Sequence, residues 1–397
     1  MSVMEYDFDR VVVREGTRCE KYDSREEIFG RADVIPLWVA DMDFEVAPFI
    51  TEAIMRRAAH PVYGYEFRGS GFYDSAAGWI ARRGGWNVEP GWMNFTPGVV
   101  SGLVCAMRAV TQEGDRVVIQ PPVYPPFARV TKSNGRRLVE NPLRETNAGY
   151  EMDFDDLDRK LNGAKALLLC NPQNPTGRVF TRRELERVGE LCIRHDVVLI
   201  SDEIHCDLIQ KPYQHIHIAS LSDELAHRTI TLVAPSKTFN LAGLSTSLAV
   251  IPDPSLRRRF RAEFDRMHID QGNVFGTAAL EAAYRQGDEW LDRLLEYVRG
   301  NMEYVTEFFA RHIPSVKTRP SEGTYMMWLD FRAWGLSPQE LWHFLVFEAG
   351  LGLNEGARFG TGGEGFMRIN LATRRALVEQ AMSQLETACR KRGLTGV

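Results

Sequence analysis

The sequence has little that would suit a metal, a membrane or a nucleic acid. Its six cysteines, at positions 19, 105, 170, 192, 206 and 389, form no Cys-x-x-Cys pair and no zinc spacing. Several stand inside apolar runs, so they read as reduced core thiols of a cytoplasmic protein, and no metal site is expected. No apolar run approaches membrane-spanning length, and Met1-Ser-Val-Met-Glu-Tyr-Asp7 lacks a basic and then apolar leader. Neither membrane insertion nor secretion is expected. Positive charge is not in excess: 48 Lys and Arg against 53 Asp and Glu leave a net −5, which offers no general field to nucleic acid or anionic lipid. The one dense basic cluster, Arg257, Arg258, Arg259 and Arg261, reads as a solvated helix face. Repeats, low-complexity tracts and long linkers are missing. A Rossmann dehydrogenase has little support, because no Gly-x-Gly-x-x-Gly follows an N-terminal strand.

What is present fits a soluble enzyme large enough for two domains: 397 residues, 44% hydrophobic and 25% charged. Short β-branched runs at 117–120, 166–170, 197–201, 230–234 and 248–251 alternate with helical patterns, which predicts a parallel sheet with helices on both faces. Residues 181–195 place apolar side chains at helical spacing, and Thr181 with Glu184 three residues later forms a capping box. After about residue 290 the pattern shifts to long amphipathic stretches, 290–312 and 338–349. A glycine-rich segment, 350–365, and a strand-like run, 366–371, follow. A smaller C-terminal domain is expected there.

The chemistry centres on Lys237, in Ser236-Lys-Thr-Phe-Asn240, directly after the apolar run 230–234. A lysine at the end of a buried strand needs a reason for its charge. Covalent capture of an aldehyde cofactor supplies one, since an amine moved out of water loses its proton readily and becomes a nucleophile. Asp202 ends the run 197–201, where α/β sheets present side chains to a ligand crevice. A carboxylate there could keep a pyridinium nitrogen protonated and so maintain an electron sink; read alone, an aspartate there is more often a helix N-cap. Asn171-Pro-Gln-Asn-Pro-Thr-Gly177 follows the run 166–170, so the Asn174 amide also stands at a strand end, although a proline-rich turn would read the same way. Thr96-Pro-Gly-Val-Val-Ser-Gly102 leads into an apolar helix whose N-terminal amides favour a phosphate, or form only a helix cap. Each gap from Asn174 to Asp202 and from Asp202 to Lys237 holds one helix or loop and one strand. All three therefore reach the same edge of one sheet.

These segments, together with Trp38-Val-Ala-Asp-Met-Asp-Phe44, Tyr63-Gly-Tyr65, Pro121-Pro-Val-Tyr124, Ser201-Asp-Glu-Ile-His205, Ala234-Pro-Ser-Lys-Thr-Phe-Asn240 and Gly363-Glu-Gly-Phe-Met-Arg-Ile-Asn370, resemble the fold-type I pyridoxal-phosphate enzymes, the aspartate aminotransferase superfamily. Within it they look like the cystathionine β-lyase branch of MalY/PatB type. The resemblance implies a large domain with a mostly parallel seven-stranded sheet between helices, plus a smaller α+β domain. The expected organisation is an N-terminal segment, 1–48, packing with the small domain; a large cofactor-binding domain, 49–289; and a small C-terminal domain, 290–397. The cofactor implied is pyridoxal 5′-phosphate. Lys237 would be the lysine that bonds the aldehyde and shuttles the proton, Asp202 the partner of the pyridine nitrogen, and Asn174 that of the ring's phenolic oxygen. Tyr124 would stack on the ring and join Lys237 as a catalytic group. Gly98, Val99, Val100 and Ser236 fall at phosphate-binding positions, and His205 lies within the cofactor site. Arg368 would receive the substrate carboxylate, for which a planar fork of donors suits two oxygens. Tyr65 would reach the phosphate or substrate of the neighbouring subunit, which implies a homodimer with shared sites.

Aminotransferases of the superfamily usually carry a tyrosine where His205 stands and an arginine where Ser245 stands; both changes occur in the lyase branch. The lost arginine must be compensated by the neighbouring subunit or another basic residue. Relative to the branch, Glu355 replaces a proline before Gly356, and Thr373-Arg374-Arg375 replaces Cys-Pro-Arg, beside the substrate side-chain region. The expected reaction takes a small amino acid. Lys237 removes its α-proton, and sulfur leaves Cβ to give a thiol, pyruvate and ammonia, a step of sulfur amino acid metabolism. An aminotransferase is the alternative enzyme, and a regulatory cofactor-binding protein acting through a protein partner is the alternative of another class.

Overall fold

The structure is a computed structural model and describes residues 6–147 and 149–394. Its centre is a seven-stranded sheet built from β1 (Met93–Thr96), β2 (Arg116–Ile119), β3 (Arg137–Glu140), β4 (Ala164–Cys170), β5 (Val198–Asp202), β6 (Thr229–Val233) and β7 (Ser247–Val250), in the order β1-β7-β6-β5-β4-β2-β3. The chain is α/β, as expected. β6 is buried at every position and β4 at every position but one, as a sheet covered by helices on both faces requires. The five runs seen in the sequence are strands. Two edge strands, β1 and β3, went unseen because neither Met-Asn-Phe-Thr nor Arg-Leu-Val-Glu is rich enough in β-branched residues to stand out. The sheet is mostly parallel, as expected; the exception is β7, which runs antiparallel to both β1 and β6.

The helix at Arg182–Arg194 begins with the expected reciprocal cap: the Thr181 hydroxyl accepts from Glu184 N, and the Glu184 carboxylate accepts from Thr181 N at 2.7 Å. A second helix, α1 (Val99–Val110), follows β1 directly. It lies close to the sheet because Gly102 has no side chain. A Cβ there would meet Leu232 Cδ2 at 2.9 Å. The run 338–349 is not one amphipathic helix, since Pro338–His343 is α-helical and Phe344–Glu348 widens into a π-turn.

A three-stranded antiparallel sheet holds β8 (Met326–Asp330), β9 (Asn354–Glu355) and β10 (Phe366–Asn370), in the order β8-β10-β9. The N-terminal segment joins this region: Ile35–Pro36 pairs in parallel with Leu351–Gly352. From there residues 38–44 run as a strap without regular structure towards the ends of the large sheet's strands. Among the described residues, no helix is long and apolar enough to cross a membrane.

Candidate active site

The parallel register aligns the strand ends. Cys170 of β4 lies opposite Asp202 of β5, which lies opposite Leu232 of β6. The loops that leave these strands therefore open at one edge of the sheet. After β4, Gln173 ties the Asn171–Gly177 loop together: its Nε2 donates to Pro122 O at 2.5 Å, and its Oε1 accepts from Thr176 N at 2.9 Å. After β6, Pro235–Thr238 makes one helical turn that carries Lys237. After β1, Gly98 at φ 110° starts α1, a backbone shape other residues resist. Ser247 Oγ holds that turn by accepting from Gly98 N at 3.1 Å. Val99 is buried at the first turn, with Val100 and Ser236 partly buried.

Asp202 is 3% exposed and is no helix cap; its Oδ1 accepts from Ile204 N at 3.1 Å. No cation forms an ion pair with it among the described residues. Burial first, then the charge of Glu203, pushes its carboxyl up to about 7. Lys237 Nζ donates to Ala40 O at 2.5 Å, and burial, then the charge of Arg368, lowers its amine to about 8. Arg368 is 4% exposed on β10, with Nη1 donating to Asn174 Oδ1 at 2.9 Å and Nη2 to Trp38 O at 2.9 Å. Its Nε is buried and unpartnered, and burial brings the guanidinium down to about 10. His205 is buried with Nδ1 unpartnered, and burial, Lys237 and Arg368 all hold it well below its ordinary value, so it is neutral. Tyr124 is partly buried, and burial, then Asp202, raises its hydroxyl.

This donor set fits pyridoxal phosphate. A buried carboxylate without an ion-pair partner matches a protonated ring nitrogen, and a buried guanidinium with a free Nε and no carboxylate partner matches an amino-acid carboxylate. The N-terminus of α1, opened by Gly98, faces the same edge and suits a phosphate. Lys237, Asp202, Asn174, His205, Tyr124 and Arg368 are linked by hydrogen bonds or by mutual charge effects. Tyr65 is not among them. It is 94% exposed in the segment 61–69 and lines a separate cleft with residues 270–275. Within one chain it lies apart from the residues that converge on Lys237.

Two features went unread in the sequence. The strap's carbonyls are taken by side chains: Trp38 O by Arg368 and Asn354, Val39 O and Asp41 O by Asn370, Ala40 O by Lys237 and Tyr325, Met42 O by Arg14 and Asn240. Backbone acceptors leave no trace in residue identity. The other is a buried knot behind Asp202, in which Glu203 Oε1 accepts from Ser201 Oγ while Oε2 meets His215 Nε2 at 2.9 Å and also His217 Nδ1. These three lie close enough to hold a metal. Glu203 is the acceptor both rings share, His215 Nδ1 has no partner, and the two imidazoles hold Glu203 down at about 2 against the opposing effect of burial.

Comparison with known proteins agrees with this geometry. The family model for aminotransferase class I and II matches residues 32–385. Cystathionine beta-lyase PatB of Bacillus subtilis is 42% identical over 96% of this chain and 99% of its own length. Cystalysin from Treponema denticola, solved with pyridoxal 5′-phosphate, superposes with a TM-score of 0.95 at 34% identity, covering 98% of this chain and 100% of that one. The pyridoxal-phosphate-bound C-S lyase of Staphylococcus hominis gives 0.89 at 30% identity, covering 96% and 98%. The chain belongs to the class I and II aminotransferase family, whose cofactor is pyridoxal phosphate.

Proposed function

We propose that this chain is a carbon–sulfur lyase that splits cystathionine or a related cysteine S-conjugate, with water, into a thiol, pyruvate and ammonia. The observation that carries the reading is Asp202, a buried carboxylate at a strand end with no ion-pair partner among the described residues. Relatives named cystathionine beta-lyase and C-S lyase favour elimination over amino-group transfer.

Pyridoxal phosphate, when bound, supplies an aldehyde for the substrate's amine and a ring that draws electrons from Cα. Asp202 would hold a proton on the ring nitrogen. Asn174 would donate to the phenolic oxygen while its Oδ1 accepts from Arg368 Nη1. Arg368 grips the α-carboxylate through donors that now face a carbonyl and an amide oxygen. Gly98, Val99, Val100 and Ser236 would hold the phosphate, and Tyr124 would cover the ring with a hydroxyl that burial keeps neutral. His205, also neutral, packs beside the lysine without adding charge. The Lys237 amine, already pushed towards its neutral form, takes the α-proton, and the electrons released expel sulfur from Cβ.

The same reading includes a homodimer in the cytoplasm. Tyr63, Tyr65 and Phe67 are 57%, 94% and 90% exposed on one segment, a concentration of aromatic surface that suits burial against a second copy. Six free cysteines, four of them buried, suit a reducing compartment. Purified protein given β-substituted amino acids should release pyruvate and free thiol with no keto acid added, and Lys237→Ala should lower the rate by at least about 10³-fold. Product formed only with a keto-acid acceptor would make it an aminotransferase.

A further inference from the structure

The Ala40 carbonyl receives two donors: Lys237 Nζ at 2.5 Å and the Tyr325 hydroxyl at 2.8 Å. A carbonyl oxygen has two lone pairs, so the pair of donors fills it. Its position is fixed from both sides, because Asn370 Nδ2 holds Val39 O and Asp41 O at 2.6 Å each. The carbonyl therefore does not follow the amine. Tyr325 is equally fixed. It is 1% exposed, its ring stands edge-on to His205 with centroids 6.1 Å apart, and it follows Thr324 at φ 71°, a left-handed conformation that a threonine keeps only where its surroundings impose it.

We propose that Tyr325 is a positioning residue for the base of this reaction: by sharing the fixed Ala40 carbonyl, its hydroxyl sets how tightly that resting point holds the Lys237 amine whenever the amine is not bonded to the cofactor. This rests on the reading of Lys237 as the base. The amine must leave the cofactor when substrate arrives and then stay within reach of Cα. A rigid acceptor holds it there, and an acceptor shared with a second donor holds it less tightly than a free one would. Burial pushes the Tyr325 hydroxyl above its ordinary range, so it remains a donor at every working pH.

The test compares wild type, Tyr325→Phe, and protein carrying 3-fluorotyrosine at 325, which keeps the shape and strengthens the donor. In cofactor-free protein, the pH dependence of Lys237 acylation by a small anhydride, read by peptide mass spectrometry, reports the amine directly. Tyr325→Phe should move the midpoint up by about half a unit, because the amine gains the whole acceptor, and fluorotyrosine should move it down. In loaded enzyme, Tyr325→Phe should lower kcat about tenfold with KM little changed, and the isotope effect with α-deuterated substrate should rise. An unmoved midpoint in both variants overturns the proposal, whatever happens to kcat or the melting temperature. If the midpoints move as expected but wild type releases no pyruvate from any β-substituted amino acid, the placement of Lys237 stands and the lyase reading falls.

Discussion

Arg368 shows how much a single buried side chain depends on what it is waiting for. Its guanidinium meets only neutral oxygens, Asn174 Oδ1 and Trp38 O, and leaves Nε unpaired. Arg368→Lys keeps the charge but loses the fork, and KM for an amino-acid substrate should rise about tenfold or more in steady-state assays. Asp202 poses the opposite problem. Its carboxyl, ordinarily at 3.8, sits at about 7 in the folded chain, so the folded state binds the proton that the unfolded state has released across that window. The group therefore costs stability increasingly as pH rises from about 4 through about 7. Cofactor-free Asp202→Asn should gain on wild type over that range, by on the order of 2 kcal/mol at neutral pH in denaturant melts. Bound cofactor should cancel the difference. Lys237, Asp202 and Asn174 were legible in the sequence because each follows an apolar run at a strand end. Tyr325 was not, because it sits at the head of an apolar stretch where an aromatic looks like any core residue.

At the level of elements, the strap 38–44 is the part that sequence patterns miss. It has no periodicity, and its order comes from side chains elsewhere. Asn240, at φ 58°, accepts from Met42 N and donates to Met42 O and Phe44 O at 2.9, 3.0 and 3.3 Å. Asn240→Gly tolerates that backbone shape and removes only the side chain, so its loss of stability, about 2 kcal/mol in a urea titration, should measure the clasp itself. Regular elements were easier. The helix Arg182–Arg194 was visible from Thr181 and Glu184, whose mutual hydrogen bonds match the capping pattern. The antiparallel direction of β7 was not visible, since a buried strand's composition is the same whichever way it runs.

For the whole molecule, the order of the motifs is read along the chain but their convergence belongs to the fold: motifs spread from Trp38 to Asn370 meet at one edge of the seven-stranded sheet. Tyr65 stands outside that convergence in a single chain. If a second copy brings it in, Lys237→Ala and Tyr65→Phe proteins, each poorly active alone, should regain activity when unfolded together and refolded as a mixture. Each mixed dimer then holds one site with both residues intact. Unrestored activity, with dimers confirmed by light scattering, would place Tyr65 outside catalysis.

The parallel pairing of Ile35–Pro36 with Leu351–Gly352 carries a consequence for biosynthesis. The start of the strap cannot find its β partner until residues 351–352 have left the ribosome, and Arg368 emerges later still. A nascent chain can thus present its lysine well before it can seat a substrate, so competence waits on the arginine's emergence.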